Sequence, residues 1–462
     1  MSRVAIVGAG FSGTALALQL LRRATASGKG PLDVTLVERE PRQLARGVAY
    51  SSFDPRHILN VPAAQMSFDP AAPDDFVAWL RARGLAPREA PGEWFAPRQL
   101  YGQYLEQRLR DSEAAAADGA RLRRVTGEAV DARPAVHGWQ LLLRGGELVV
   151  ADALVLALGN FPPPHPVVRD PQGYDSPRYF NRAWEPGAVD GLEPDDAVLL
   201  IGTGLTSVDM LVSLTRNGHH GAIHAVSRRG LWPFPHEATP VWPEFVPGEA
   251  PHRIATLLAL VRAELAKAAA AGVPWPSVIN ALRPRTVALW QALPRSEQQR
   301  FLRHVRPWWE VARHRMPPSS SALVAELTAR GQLTTLRGRL RSIEEDEGLG
   351  GAGLQVGIQL RGAEQVVLRA ARVLNCTGAE SNYRKLADPL VRNLMRHGLA
   401  HADPLHLGLA TDADGRLEDA QGATPHPLYT LGPCRKGSLW ETTAVPEIRG
   451  QAAALAAVLL GR

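Results

Sequence analysis

Val4-Ala5-Ile6-Val7-Gly8-Ala9-Gly10-Phe11-Ser12-Gly13 reads as an apolar strand running into a Gly-rich turn, and Thr14-Ala15-Leu16-Ala17-Leu18-Gln19-Leu20-Leu21 continues as a helix. Gly8 permits the tight turn, Gly10 lets a pyrophosphate approach the backbone, and Gly13 lets helix pack closely on strand. The helix start adds unpaired N–H groups and a partial positive charge for phosphates. Gly8, Gly10, Phe11, Ser12 and Gly13 are therefore a first set of cofactor-binding candidates. The next strand, Asp33-Val34-Thr35-Leu36-Val37, ends in Glu38, with Arg39 beside it. An acid there accepts hydrogen bonds from an adenosine ribose and repels a 2′-phosphate, which favours FAD or NAD.

The same order returns at Val198-Leu199-Leu200-Ile201-Gly202-Thr203-Gly204-Leu205-Thr206-Ser207. A helix over roughly Ser207 to Leu214 and the strand Ala222-Ile223-His224-Ala225-Val226 follow. Ser207 stands where a third small residue is expected, and this strand ends in Ser227-Arg228-Arg229 instead of an acid. Two guanidiniums and a hydroxyl are the chemistry that a ribose 2′-phosphate needs. Gly202, Gly204, Leu205, Thr206, Ser227, Arg228 and Arg229 form the second candidate set and favour NADPH over NADH; the plainer alternative is a solvated Arg pair.

Each Gly turn is followed by a meander and a closing apolar strand. The first meander takes Leu122 to Ala132, Trp139 to Leu143 and Glu147 to Val150, and closes with Ala153 to Leu158 and Gly159. The second takes Leu333 to Ile343, Leu354 to Leu360 and Gln365 to Leu368, and closes with Ala371 to Thr377 and Gly378. This duplication predicts an α/β chain with two Rossmann-like dinucleotide-binding domains, a two-dinucleotide flavoprotein layout with a helical insertion. An FAD-binding domain takes residues 1–165 plus 366–462. An NAD(P)H-binding domain takes 166–365, with the insertion at about 251–330. Inside it, Ser296-Glu297-Gln298-Gln299 reads as a capping box ahead of Phe301-Leu302. The usual reason to hold two dinucleotides is to pass a hydride between them.

Two further segments favour FAD over NAD at the first turn. Gly47-Val48-Ala49-Tyr50 to Ser67 has neither helical nor strand periodicity, and a long structured loop of this kind is often functional. Within it Asn60, Gln65 and Met66 are placed to meet the flavin edge, and His57 is assigned either there or to a structural hydrogen bond. Pro427 to Gly432 reads as a last strand, and a helix follows from about Val445 to Leu460. A helix N-terminus at Val445 aimed at the flavin would stabilise reduced flavin by ~0.3–1 kcal/mol.

The 462 residues suffice for two cored domains, and 45% apolar with 21% charged residues is ordinary for a globular protein. The net charge of +6 is scattered rather than gathered in a basic run, which argues against a nucleic-acid face and suits anionic cofactors and substrate. Cys376 and Cys434 are the only cysteines, so no disulfide framework or metal set is implied, and a cytoplasmic location is expected. His219-His220 reads as a surface turn, not a metal pair. No apolar run reaches membrane-spanning length, and the first strand starts too early for a signal peptide.

The most unusual cluster is Arg303-His304-Val305-Arg306-Pro307-Trp308-Trp309-Glu310-Val311-Ala312-Arg313-His314-Arg315, at the end of the insertion. Arg306, His314 and Arg315, with Arg435, Lys436 and Arg449 from the C-terminal segment, are candidates to bind a small anion between indole walls. The alternative is an exposed basic helix whose Trp residues pack between domains.

Gly47-Val48-Ala49-Tyr50-Ser51, Asp54-Pro55-Arg56-His57-Ile58-Leu59-Asn60-Val61-Pro62-Ala63, Gly202-Thr203-Gly204-Leu205-Thr206-Ser207-Val208-Asp209 and Leu439-Trp440-Glu441-Thr442-Thr443-Ala444-Val445-Pro446-Glu447-Ile448-Arg449 carry a family resemblance. Over nearly its whole length the chain resembles the bacterial FAD/NAD(P)-binding family that includes flavin-dependent urate hydroxylases and nitrosuccinate-forming aspartate N-monooxygenases. The resemblance implies a single-component monooxygenase: NADPH reduces FAD, O2 adds at the flavin C4a, and the hydroperoxyflavin hydroxylates a bound small molecule. No protein acid–base triad is required. Tyr179-Phe180-Asn181-Arg182-Ala183-Trp184 stands where Baeyer–Villiger enzymes carry a Phe-x-Gly-x-x-x-His fingerprint, which argues against that subgroup. N-hydroxylation of an amino acid such as L-aspartate is the leading expectation and urate hydroxylation the alternative. A flavin reductase, which lacks its Cys-x-x-Cys here, and a non-catalytic FAD-binding protein are readings of another class. Homo-oligomerisation is left open.

Overall fold

The structure is a computed structural model and describes residues 2–27, 31–52, 54–116, 119–246, 248–346, 353–362 and 364–461. The chain begins with strand β1 (Ser2–Val7), helix Phe11–Ser27 and β2 (Leu32–Glu38), then passes through helices Asp75–Ala82 and Arg98–Ala114. Strands β3 (Ala120–Thr126), β4 (Ala129–Pro134), β5 (Trp139–Leu143), β6 (Leu148–Ala151) and β7 (Ala153–Leu156) follow. The second half holds β8 (Tyr179–Phe180), β9 (Val198–Ile201), helix Leu205–Arg216, β10 (Ile223–Ser227), β11 (Leu333–Asp346), β12 (Gly353–Leu360), β13 (Gln365–Ala370) and β14 (Arg372–Asn375). The chain ends with helix Pro389–Arg396, β15 (Leu428–Thr430) and helix Val445–Leu459.

Two parallel sheets result. The first runs β15-β7-β1-β2-β3, and the second runs β13-β12-β11-β10-β9-β14-β8, with β12 and β13 antiparallel at its edge. Both sheets are covered on both faces, which is why their central strands are continuous apolar runs. Along β1, Val4 and Ile6 enter the core made with helices Phe11–Ser27, Arg98–Ala114 and Val445–Leu459. Ala5 and Val7 face the opposite core, under β4–β6 and helix Pro389–Arg396. Along β9, Val198 and Leu200 likewise part from Leu199 and Ile201. The α/β duplication read from the sequence is the fold observed.

The repeat extends to atoms. Gly8 has φ +100°, and a Cβ there would sit 2.3 Å from the Ala157 carbonyl oxygen. Gly202 has φ +123°, and its Cβ would sit 2.7 Å from the Cys376 oxygen. A Cβ on Gly13 would meet the Gly8 oxygen at 1.9 Å, whereas Ser207 at the matching place donates its hydroxyl to the Gly202 oxygen at 2.9 Å.

Three expectations need correction. Leu122 to Ala132 is not one strand: the chain turns at Gly127, whose N–H donates to the Glu38 carbonyl at 2.9 Å, so β3 joins the parallel sheet and β4 joins a separate meander. The return to the first sheet comes after Asn375 rather than at 366, because β13 and β14 hydrogen-bond into the second sheet. No capping box forms at Ser296: helix Arg295–His304 starts after Pro294, and Glu297 instead accepts the Ile254 N–H at 2.8 Å.

The insertion is helical, with Ile254–Ala270, Pro276–Ala281, Thr286–Ala292, Arg295–His304, Arg306–Arg313 and Pro318–Ala329. It is seated on the C-terminal part of the first domain. Ile254, Trp290, Leu293 and Phe301 share one apolar cluster with Leu407 and Trp440. The Trp290 indole donates to the Gly437 oxygen at 2.8 Å, and Trp309 donates to Glu441 at 2.7 Å. Among the described residues, no helix is long and apolar enough to cross a membrane.

Candidate functional site

A cleft of about 1880 Å³ opens where the carboxyl ends of both parallel sheets meet the insertion, the usual ligand position in open α/β sheets. Gly202, Gly204, Leu205 and Thr206 line it from the second turn, and Ser227, Arg228 and Arg229 from the end of β10. Gly159 and Gly378, which follow β7 and β14, line it too. A Cβ built on Gly159, Gly204 or Gly378 meets nothing within 4 Å, so these backbones border open space that side chains would fill. From the first domain come Asn60, Gln65, Met66, Val445 and Arg449, and Lys436 joins them. Arg306, His314 and Arg315 enter from the insertion. Thus one cleft brings together the second nucleotide set, the candidates Asn60, Gln65, Met66 and Val445 from the first domain, and every substrate-binding candidate from the insertion and the C-terminal segment except Arg435.

Several candidates lie outside its walls. Gly10 packs against Gly47, where a Cβ would come 3.0 Å from the Gly10 Cα, and Phe11 and Ser12 are buried. A Cβ on Gly432 would sit 2.6 Å from the Ser12 hydroxyl, so that strand end also closes on the turn. Glu38 is buried and accepts the Ala9 N–H at 2.9 Å and the Glu40 N–H at 3.1 Å. Arg39 is exposed and points to Asp388 at 3.7 Å. His57 does not face the cleft; its ring is enclosed between Ser52 and Ser213. Arg435 turns away to the Asp412 and Ala413 carbonyls. Trp308 is exposed and Trp309 is committed to Glu441, so neither forms the expected indole wall.

Two guanidinium clusters dominate the electrostatics. Arg228 and Arg339 line the cleft together with Arg306 and Arg229. Burial lowers the Arg228 pKa, Arg339 and Arg306 lower it further, and Glu310 opposes them. Arg339 escaped the sequence reading because it sits on a strand whose register with β10, Ser227 against Arg337, only folding defines. The second cluster is Arg283, Arg313 and Arg315. Arg283 and Arg313 share Glu447, at 2.9 and 3.1 Å, and Arg283 reaches Gln65 at 3.2 Å. Arg315 is 5% exposed, donates to Asn280 at 2.5 Å, and leaves Nε and Nη1 without partners.

Titratable side chains in the cleft are pushed toward their neutral forms. Burial takes His236 down to about 4 against its bond to the Asn60 carbonyl, with Arg315 and Arg313 adding to the shift. Burial also lowers His314, opposed by Glu441 at 3.9 Å, and lowers Lys436, which stacks its ammonium 4.9 Å from the Trp440 ring centre.

Residues 5–161 match the family described as FAD-NAD(P)-binding. Over full length the fold is similar to that of L-lysine 6-monooxygenase from Pseudomonas syringae, at 17% identity, 99% of each chain and a TM-score of 0.66. The chain has the two-dinucleotide flavoprotein fold. It is similar as well to the ornithine N-hydroxylase of Kutzneria sp. 744 holding reduced FAD, NADP+ and L-ornithine, at 15% identity, 99% of this chain, 98% of that one and a TM-score of 0.64. The FAD-bound cadaverine monooxygenase of Erwinia amylovora matches at 12% identity, 99% of this chain, 94% of that one and a TM-score of 0.63. No curated protein sequence matches the chain significantly.

The residues present fit these cofactors. The first turn offers helix-start amides and a buried acid, the open glycines border the cleft, and the Arg228–Arg339 corner suits a phosphate dianion.

Proposed function

We propose that the chain is an NADPH-using, FAD-dependent monooxygenase that N-hydroxylates a small amine bearing a carboxylate, with an amino acid such as L-aspartate as first candidate. The observation that carries this reading is Arg315, a guanidinium 5% exposed in the cleft wall whose Nε and Nη1 have no hydrogen-bond partner in the protein. A buried cation of this kind is costly unless an anion completes it. A substrate carboxylate does so, and a charge-assisted bond of that type contributes roughly 1.5–3 kcal/mol. The amine chemistry of the lysine, ornithine and cadaverine enzymes of this fold supports an amine as the group oxidised.

Gly8, Gly10, Gly13 and Glu38 would hold the FAD pyrophosphate and ribose, with Asn60, Gln65, Met66 and Val445 toward its ring. Gly202, Gly204, Thr206, Ser227, Arg228, Arg229 and Arg339 would hold NADPH. FAD supplies the electron-accepting and oxygen-activating chemistry when bound. The chain's own work is to bind the substrate anion, to keep His236 neutral, and to exclude water behind the insertion. Thiol redox is disfavoured, since burial pushes Cys376 up to about 12 and Cys434 is also buried. Two free buried thiols fit a reducing cytoplasm.

The test is NADPH oxidation by the FAD-loaded protein across aspartate, other amino acids, diamines and urate. Stimulation by an amino acid with its N-hydroxylated product supports the reading. Stimulation confined to urate would replace it with the urate alternative, and stimulation confined to diamines would remove the carboxylate role.

A further inference from the structure

The Asp54-Pro55-Arg56-His57 stretch and Asp209 have no part in the chemistry above, yet they meet in a buried polar network between the two domains. Arg98 pairs with Asp209 at 2.9 Å, with side chains 10% and 9% exposed. The Trp184 indole donates to the same carboxylate at 3.2 Å, and the Arg98 Nε donates to the Ile58 carbonyl at 3.0 Å. Behind this pair, His57 Nε2 lies 2.9 Å from the Ser213 hydroxyl and 3.1 Å from the Asp209 carbonyl. Ser213 donates to Asp54 at 2.7 Å, and Ser52 lies 2.6 Å from His57 Nδ1.

One arrangement with a neutral ring satisfies these bonds. A carbonyl only accepts, so Nε2 carries the ring proton toward Asp209. The Ser213 proton goes to Asp54, and Ser52 donates to Nδ1. His57 is then neutral, in keeping with a burial that lowers its pKa. Asp209 and Ser213 are four residues apart and share one face of helix Leu205–Arg216, whose first residues Leu205 and Thr206 line the cleft. A buried ion pair is a poor source of stability compared with apolar packing of equal volume. What directional bonds add is a single allowed orientation, where an apolar contact would slide.

We propose that Arg98, Asp209, His57 and Ser213 are positioning residues that fix the second Gly turn over the first domain for hydride transfer. The inference rests on the FAD and NADPH reading. A misplacement on the order of 1 Å costs about a hundredfold in such a step.

The experiment replaces the pair by apolar residues, Arg98→Met with Asp209→Leu, and makes Ser213→Ala as a smaller lesion. Flavin reduction at saturating NADPH is followed by stopped flow, beside dithionite reduction, FAD content and melting temperature. Spin labels at Arg121→Cys and Val367→Cys, both exposed in the parent chain, report the distance between domains. The expected result is retained FAD and melting temperature, unchanged dithionite reduction, NADPH reduction slowed about tenfold or more, and a broadened label distance. Folded variants with parental reduction rates and a parental distance distribution would overturn the proposal. The labels need no cofactor, so a parent that is not reduced by NADPH sinks the functional reading alone. The distance distribution then decides the positioning role.

Discussion

Arg315 donates to Asn280 at 2.5 Å and keeps its Nε and Nη1 buried without partners in the wall of the cleft. An unsatisfied buried cation opposes folding and favours an incoming anion. Arg315→Met is therefore expected to raise the melting temperature of the substrate-free protein while raising KM for the amino-acid substrate about tenfold or more. Thermal melts with steady-state kinetics check both halves. An unchanged KM would separate Arg315 from substrate binding.

Arg228, just past the end of β10, and Arg339, on β11, line the same corner of the cleft, where we propose that NADPH binds. Loss of one charge-assisted phosphate contact costs roughly 1.5–3 kcal/mol, or about ten- to a hundredfold in kcat/KM. Arg339→Ala and Arg228→Ala should each lower kcat/KM for NADPH by that factor and leave NADH nearly untouched. Equal losses with both cofactors would mean that the arginines do not read the 2′-phosphate.

The Glu38 carboxylate accepts the Ala9 N–H at 2.9 Å, so it shapes the first turn besides its proposed bond to the FAD ribose. Glu38→Ala leaves that buried amide unpaired, at a cost of about 1–3 kcal/mol. Both stability and FAD affinity should fall, as read by denaturant melts and by FAD titration of the apoprotein. Full FAD affinity in the variant would place the ribose elsewhere.

His236 titrates near 4 in the folded chain, below its ordinary value of 6.5. Between these pH values the unfolded chain holds a proton that the folded chain refuses, so stability is lost as pH falls from 6.5 toward 4. His236→Gln keeps a donor for the Asn60 carbonyl and removes the titration. Denaturant melts across this window should show a pH slope smaller by up to about one proton in the variant. Identical slopes would contradict a neutral buried His236.

What the sequence made legible was local. Gly8, Gly13 and Gly202 announce their turns because no other residue fits beside Ala157, Gly8 and Cys376. The alternation along β1 and β9 reads as strands covered on both faces. Non-local partners were not legible. Arg339 enters the cleft through the pairing of β10 with β11, and Arg283 through a bridge to Glu447 far along the chain. His57 read either as a flavin neighbour or as a structural hydrogen-bonding residue, and it is the second, with partners Ser213 and Asp209 in the other domain that sequence could not name. Trp309 read either as a pocket wall or as interdomain packing, and its indole N–H instead donates a hydrogen bond to Glu441 across to the C-terminal segment.

The proposed reaction transfers oxygen to the nitrogen of a carboxylate-bearing amine. The most direct measurement is turnover with NADPH and isotopically heavy O2, scoring the label in the product by mass spectrometry across the amino-acid panel. The expected product carries heavy oxygen on nitrogen, forms in proportion to NADPH consumed, and forms about tenfold or more less efficiently in Arg315→Met at substrate well below KM. NADPH consumption that yields only hydrogen peroxide with every amino acid would contradict the proposed reaction.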